Sequence, residues 1–223
     1  MYGIVDCDNC YVSCERVFRP DLNDKPVVVL SNNDGCVVAR SNEAKRMGIK
    51  GGMPYYQLAE QFPNQDIAAF SSNYELYGEL TGRVVEIIRK ESPAYFRYSI
   101  DECFVYFNGT GELDLKGWGE KLHKRIKRSV GMPTSIGIAP NKTLAKIAGH
   151  FAKKYQGYHH CCLIDNDEKR VKALKLFPIS EVWGIGRRYA TRLQAMGVQT
   201  AFDFAERNLS WVRATFKNIV IEH

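Results

Sequence analysis

Three acidic residues carry the first chemical signal. Asp6 closes the short apolar run Gly3-Ile4-Val5, and the adjacent pair Asp101-Glu102 interrupts a second stretch rich in aromatic and β-branched residues. Carboxylates held close together repel and raise one another's pKa unless a cation neutralises them, and an all-oxygen donor set favours Mg²⁺ or Mn²⁺. Such a cluster could hold two divalent ions. Spacing alone leaves these residues equally readable as turn acids and a solvated strand end.

The elements around them decide whether they meet. Periodicity predicts a strand at residues 3–5, a helix from about Tyr74 to Arg89, strands at 94–100 and 103–107, a basic helix at about 115–130, a strand at 134–139, a helix capped by Asn141 and a last strand around 161–164. With residues 11–73 set aside, the order is β-α-β-β-α-β, an α+β, ferredoxin-like arrangement with the first strand and a hairpin strand side by side at the sheet centre. That brings Asp6 to the hairpin. Consecutive strand residues face opposite ways, so Asp101 and Glu102 share a site only if they sit in a tight turn. The fold alone leaves function open.

Residues 11–73 predict a small inserted lobe, with strands at 26–30 and 36–40 joined by Asn32-Asn33-Asp34-Gly35 and a short helix from Asn42 to Gly48. A helical third lobe runs from about Asp165 to the end. Within it, Val182-Trp183-Gly184-Ile185-Gly186-Arg187 reads as the hairpin of a helix-hairpin-helix, followed by a helix presenting Tyr189, Leu193 and Met196 on one face.

Composition is compatible with this picture. The 223 residues carry 31 basic and 25 acidic side chains, a net charge of +6, which suits a polyanionic partner without demanding one. The cluster Lys121 to Arg128 also fits a solvated helix face, because Trp118, Leu122, Ile126 and Val130 form an apolar stripe. No run suits a membrane span or a signal peptide, and seven cysteines without framework spacing fit a reducing, cytoplasmic setting. Zinc is disfavoured. Cys7-Asp8-Asn9-Cys10 and His159-His160-Cys161-Cys162 place neighbours on opposite strand faces.

Taken in order, Val5-Asp6-Cys7-Asp8 with Tyr11 and Glu15, Ser31 to Cys36, Ser71 to Tyr77, Ser99-Ile100-Asp101-Glu102 and Val182 to Arg188 resemble the Y-family translesion DNA polymerases, most of all their UmuC-like branch. The likeness covers nearly the whole chain. It implies a palm (1–10 and 74–164), fingers (11–73) and a thumb (165–223), together forming a template-directed polymerase core. Asp6, Asp101, Glu102 and the Cys7 main-chain carbonyl would hold two Mg²⁺ ions, with Mn²⁺ able to substitute.

By the same resemblance Tyr11 is a steric gate against ribonucleotides, although Cys10 stands where many relatives carry Phe. Arg40, Lys45 and Lys153 face the triphosphate of a deoxynucleoside triphosphate, and Gly184, Gly186, Arg187 and Arg188 contact the backbone of primer-template DNA. UmuD′-like and RecA-like partners are implied by the family alone. The chain is expected to stop before the family's little-finger domain and sliding-clamp motif, as a truncated core with weak DNA grip. Two other readings remain: a palm-fold nucleotide cyclase, and a catalytically inactive DNA-binding fragment.

Overall fold

The computed structural model describes residues 1–108 and 113–216. In chain order the elements are β1 (Tyr2–Cys7), α1 (Cys10–Phe18), β2 (Val27–Leu30), β3 (Val37–Arg40), α2 (Asn42–Arg46), α3 (Tyr55–Gln61), β4 (Ala68–Phe70), α4 (Tyr74–Glu91), β5 (Ala94–Arg97), β6 (Glu102–Tyr106), α5 (Leu115–Val130), β7 (Thr134–Ala139), α6 (Lys142–Lys154), β8 (Cys161–Leu163), α7 (Asp167–Leu176), α8 (Arg187–Ala195), α9 (Ala201–Ala205) and α10 (Leu209–Phe216). Among the described residues, no helix is long and apolar enough to cross a membrane. Gly109, a glycine that would break the strand expected at 103–107, and residues 217–223 of the third lobe lie outside the described residues.

The main sheet has five strands in the order β5-β6-β1-β7-β8. The expected β-α-β-β-α-β order accounts for β1, α4, β5, β6, α5 and β7; α6 and β8 extend it by a parallel strand beside β7. β1 is central and antiparallel to both neighbours. Side-chain alternation sorts the two faces. Val5, Cys7, Cys103, Val105, Ile136 and Ile138 turn towards α4 and α5, whereas Ile4 and Phe104 join the core beneath α6. Asp6 and Glu102 share the parity of Ile4 and Phe104 and so belong to the α6 face. Cys161 and Cys162 are likewise buried on opposite sides of β8.

The hairpin differs from expectation. β5 ends at Arg97 and β6 starts at Glu102, so four residues, 98–101, make the connection rather than the acidic pair alone. The backbone N–H groups of Tyr98 and Ser99 both donate to the Glu102 carbonyl, at 3.0 and 3.1 Å, closing the turn. Asp101 therefore stands in the turn and Glu102 in the strand, which frees the pair from strict alternation.

Helix α6 lies on β7 closely because both contact positions are glycines. A Cβ at Gly137 would stand 2.1 Å from the Ala145 carbonyl oxygen and 2.1 Å from the Gly149 nitrogen, and one at Gly149 would press on Ile4 at 3.3 Å. The Asn141 side chain accepts from the Leu144 N–H at 2.8 Å and fixes where α6 begins, as its position before the apolar stripe predicts. On α5, Leu122, Ile126 and Val130 are buried while Lys121, Lys124, Arg125, Lys127 and Arg128 are exposed. The basic cluster is thus a solvated face over an apolar stripe.

The inserted segment builds its own sheet, β3-β2-β4, whose central strand β2 is buried at all four residues. α1 bridges the two sheets, burying Cys10, Val12, Ser13 and Cys14. In the third lobe, Ile179, Ile185, Leu193, Val198 and Val212 form a separate core. Met196 does not join it. α8 stops at Ala195, so Met196 falls past the last turn and is 42% exposed, while Ala190 and Leu193 supply the buried face.

Replacing Gly137 by Ala sets a methyl against backbone, which cannot rotate away. Urea unfolding of Gly137→Ala is expected to show a loss of about 3 kcal/mol, the upper end of ordinary overpacking costs, whereas Gly157→Ala, with open space around its Cβ, leaves the midpoint nearly unchanged.

Candidate functional site

Asp6 and Glu102 are direct cross-strand partners on β1 and β6, so their side chains leave the same face of the sheet side by side. Asp101 is tied to the end of β1, where the Cys7 N–H donates to the Asp101 carbonyl at 2.9 Å. Its carboxylate accepts from the Ser99 hydroxyl at 2.6 Å. Asp8, just beyond β1, accepts from the Ser135 hydroxyl on β7 at 2.9 Å. Four carboxylates thus gather at one end of the central strands.

Helix α6 answers them with ammonium groups. Lys153 Nζ lies 2.9 Å from Asp6 Oδ1 and 3.4 Å from Asp8 Oδ1, and Lys146 Nζ lies 2.6 Å from Glu102 Oε1. Lys146, His150 and Lys153 follow at i, i+4 and i+7, one face of the helix, and the glycine contact with β7 brings that face to the carboxylates. Burial lifts the Asp6 carboxyl from 3.8 to about 6; Lys153 opposes the rise, and the charges of Asp8 and Asp101 add to it. Burial alone would lower Lys153, but Asp6 and Asp8 outweigh it and hold the ammonium above its ordinary range.

Among the described residues, no three of His, Cys, Asp or Glu are drawn together closely enough to hold an ion by themselves. Lys153 bridges Asp6 and Asp8, and Lys146 pairs with Glu102. The donor set nevertheless fits a hard divalent cation: it is all oxygen, and Asp6 is desolvated to the point that its charge is only partly compensated. The thiols of Cys7 and Cys10 are buried at 4% and 6% exposure and packed against each other, so Cys7 could offer an ion only its main chain.

Two clefts meet at these carboxylates. One, of about 350 Å³, is lined by Tyr11, Val38, Arg40, Lys45, Asp101 and Lys153. Tyr11 forms its aromatic wall, stacked on Tyr77 with ring centres 4.6 Å apart and edge-on to Tyr74 at 5.7 Å. Tyr77 in turn donates to Glu15 at 2.7 Å, so the wall is braced from behind. Lys45 donates to Asn9 at 2.5 Å; burial, then the neighbouring Lys153 and Arg40, depress its pKa. Arg40 donates to the Ile49 carbonyl at 2.8 Å and stays on the cleft wall. Three cations facing one cleft make an anion pocket.

The other cleft, of about 310 Å³, lies between β1, β6, α6 and the third lobe, lined by Asp6, Glu102, Lys146, His150, Lys153 and Trp183. Beyond it, Gly184 has φ +91°, a left-handed value suited to glycine, and Gly186 precedes α8. Arg187 and Arg188 are exposed in the first turn of α8, where positive side chains oppose the helix dipole and favour a nearby anion. The element before the hairpin is a single 3₁₀ turn, Ile179–Glu181, after α7 has ended at Leu176. The structure therefore draws Asp6, Cys7, Tyr11, Arg40, Lys45, Asp101, Glu102 and Lys153 into one neighbourhood and leaves Gly184, Gly186, Arg187 and Arg188 on a separate hairpin beside it.

The family model described as IMS, impB/mucB/samB family, matches residues 5–150, which span all of these groups except Lys153 and the hairpin. The chain belongs to the impB/mucB/samB family. Protein UmuC of Salmonella typhimurium is 41% identical over 224 residues, covering 100% of this chain and 53% of that protein. DNA polymerase IV of Corynebacterium diphtheriae is 31% identical over 205 residues, covering 90% of this chain and 44% of that protein. Among solved structures, an insertion ternary complex of Dbh DNA polymerase superposes with a TM-score of 0.82 at 26% identity, covering 96% of this chain and 63% of that one. This impB/mucB/samB chain spans about half the length of the curated relatives it matches.

Asp8 and Lys146 are site neighbours that sequence reading passed over. Alternation from Asp6 pointed to the first, and the seven-residue step back from Lys153 pointed to the second. Asp6 also makes the site testable without substrate. Its folded pKa lies above its unfolded value, so the folded state gains a proton on acidification, and the contribution of Asp6 to stability falls as pH rises from about 4 through about 6. Asp6→Asn is therefore expected to be the more stable protein at pH 8 without divalent ions, by about 1–2 kcal/mol once its 28% side-chain exposure is allowed for, with the difference closing below pH 4 in urea titrations.

Proposed function

We propose that the chain is the catalytic core of a Y-family, translesion-type DNA polymerase, adding deoxynucleotides to a primer 3′-hydroxyl under the direction of a template. The observation that carries this reading is the meeting of two clefts at one row of carboxylates: a cationic cleft with an aromatic floor on one side, and on the other a cleft opening towards a glycine hairpin with exposed arginines. A cyclase acting on a free nucleotide has no use for that hairpin. The names of the relatives, a DNA polymerase IV and a DNA polymerase in a ternary complex, agree with it.

In this reading the five-stranded sheet with its helices is the palm, residues 11–73 the fingers, and residues from 165 onward the thumb with a helix-hairpin-helix. Asp6, Asp101, Glu102 and the Cys7 carbonyl hold two Mg²⁺ ions. Bound there, the ions, or Mn²⁺ in their place, supply the charge that lowers the pKa of the 3′-hydroxyl and offsets negative charge on the transferring phosphoryl group.

The remaining work falls to the chain's own groups. Lys153, held protonated well above neutrality, is a permanent counter-charge for phosphate oxygens, and Arg40 and Lys45 extend that field along the triphosphate. Tyr11, backed by Tyr77, cannot retreat from a ribose 2′-hydroxyl and so selects deoxynucleotides. Gly184 and Gly186 let main-chain N–H groups approach a DNA phosphate, and Arg187 and Arg188 add charge; such contacts give affinity without sequence information. UmuD′-like and RecA-like partners of the whole protein rest on family grounds alone, and a cytoplasmic setting rests on the free cysteines.

Primer extension tests the proposal. With Mg²⁺, the chain is expected to extend primers distributively, and Asp101→Ala to lower the rate more than about 10³-fold, since several kcal/mol of charge stabilisation are lost. Cyclic nucleotide without strand growth, binding without synthesis, or full activity in Asp101→Ala contradicts it. In the same assay Tyr11→Ala is expected to raise ribonucleotide incorporation about 100-fold, the scale on which a pocket excludes an added group.

A further inference from the structure

We infer that Lys146 is a positioning residue for Glu102, and that Trp183 of the hairpin holds Lys146 in that role, tying the third lobe to the carboxylate row. The inference rests on the polymerase reading of the site. Lys146 engages Oε1 of Glu102 at 2.6 Å with both side chains shielded, 19% and 18% exposed. Oε2 has no hydrogen-bond partner among the described residues and stays available to an ion. A carboxylate held by one oxygen and offered by the other is the arrangement in which an outer group orients a metal ligand.

A lysine on a four-carbon stem does not hold such a position unaided. Here two rings fix it. Lys146 Nζ lies 5.1 Å from the centre of Tyr98 and 5.1 Å from the centre of Trp183, within cation–π range of both. Trp183 stands perpendicular to Tyr98 at 5.6 Å and tilted against Phe104 at 6.0 Å, so the rings brace one another. Tyr98 belongs to the hairpin that carries Asp101, whereas Trp183 comes from the third lobe and directly precedes the left-handed Gly184. One turn further along α6, His150 and Glu181 pair at 3.3 Å across the same junction. A shift of the glycine hairpin on DNA therefore reaches Glu102 through Trp183 and Lys146, without any contact between the hairpin and the carboxylate itself.

The test uses the full-length protein with Lys146→Met, Lys146→Arg, Trp183→Leu and the Lys146→Met/Trp183→Leu double variant. Two quantities are read: the Mg²⁺ concentration giving half the ion-dependent rise in melting temperature, and kcat against nucleotide KM in primer extension. Lys146→Met is expected to raise the Mg²⁺ midpoint and lower kcat by about tenfold each, with KM within about twofold, as for removal of an outer group on a metal ligand. Trp183→Leu should give about a threefold effect in both, Lys146→Arg should restore most of the loss, and the double variant should be no worse than Lys146→Met, because the two residues act in series.

An unchanged Mg²⁺ midpoint in Lys146→Met overturns the inference, as does a lowered one, which would make Lys146 a competitor of the ion, or effects of the two variants that multiply. If those results come from a protein that extends primers normally, the inference fails alone. If the unaltered full-length protein extends no primer, the polymerase reading fails and takes the inference with it.

Discussion

Burial of the Asp6 carboxylate in a row with Asp8, Asp101 and Glu102 is the constraint around which the rest of the molecule is arranged. Four carboxylates gather at the end of two adjacent strands, and the lift of Asp6 to about 6 comes first from its burial, with the charges of Asp8 and Asp101 adding to it and Lys153 opposing it. The opposing charge comes from one helix face. Lys146 and Lys153 reach the cluster only because Gly137 and Gly149 let α6 settle on β7 without intervening side chains. The glycines therefore act on the chemistry at one remove, by setting how near two ammonium groups stand to four carboxylates. A carboxylate desolvated in this way costs stability in the absence of cations, and a bound cation would offset that cost.

The same edge divides the substrate-facing surface. Tyr11, Arg40 and Lys45 come from α1, β3 and α2 of the inserted lobe, and Trp183 and the glycine hairpin come from the third lobe, so each lobe contributes one wall. Lys153 lines both clefts. A single cation thus links the anion pocket to the carboxylate row, and its raised pKa keeps it charged whichever neighbour it serves. The basic face of α5, by contrast, lies over the opposite side of the sheet, and its charge has no part in either cleft.

Much of this was legible in the sequence wherever periodicity was strong. The bounds of α5 and β7 follow from an apolar stripe ended by Gly131 and a strand buried at every residue, and Asn141 announces α6 by its place before Leu144. The carboxylates were legible as a motif but not as a geometry: Glu102 proved to be a strand residue and Asp101 a turn residue, a distinction that depends on two backbone hydrogen bonds to one carbonyl. Met196 was misplaced because helical spacing says nothing of where α8 stops. Lys146 was hidden for a deeper reason. A lone lysine on an amphipathic helix reads as solvated, and only the close approach of α6 to the sheet, together with two aromatic rings distant in sequence, turns it inward.

The central proposal is that this edge is built for divalent cations, with burial holding the Asp6 pKa at about 6 until one arrives. Mg²⁺ binding measured by calorimetry in buffers of different ionisation enthalpy tests it most directly, since a ligand with a pKa of about 6 must give up its proton to the solvent on coordination. Near pH 6, binding should release about half a proton from Asp6, and the release should vanish by about pH 8 and in Asp6→Asn. Mg²⁺ binding that releases no proton at pH 6, or no binding at all, would contradict the account.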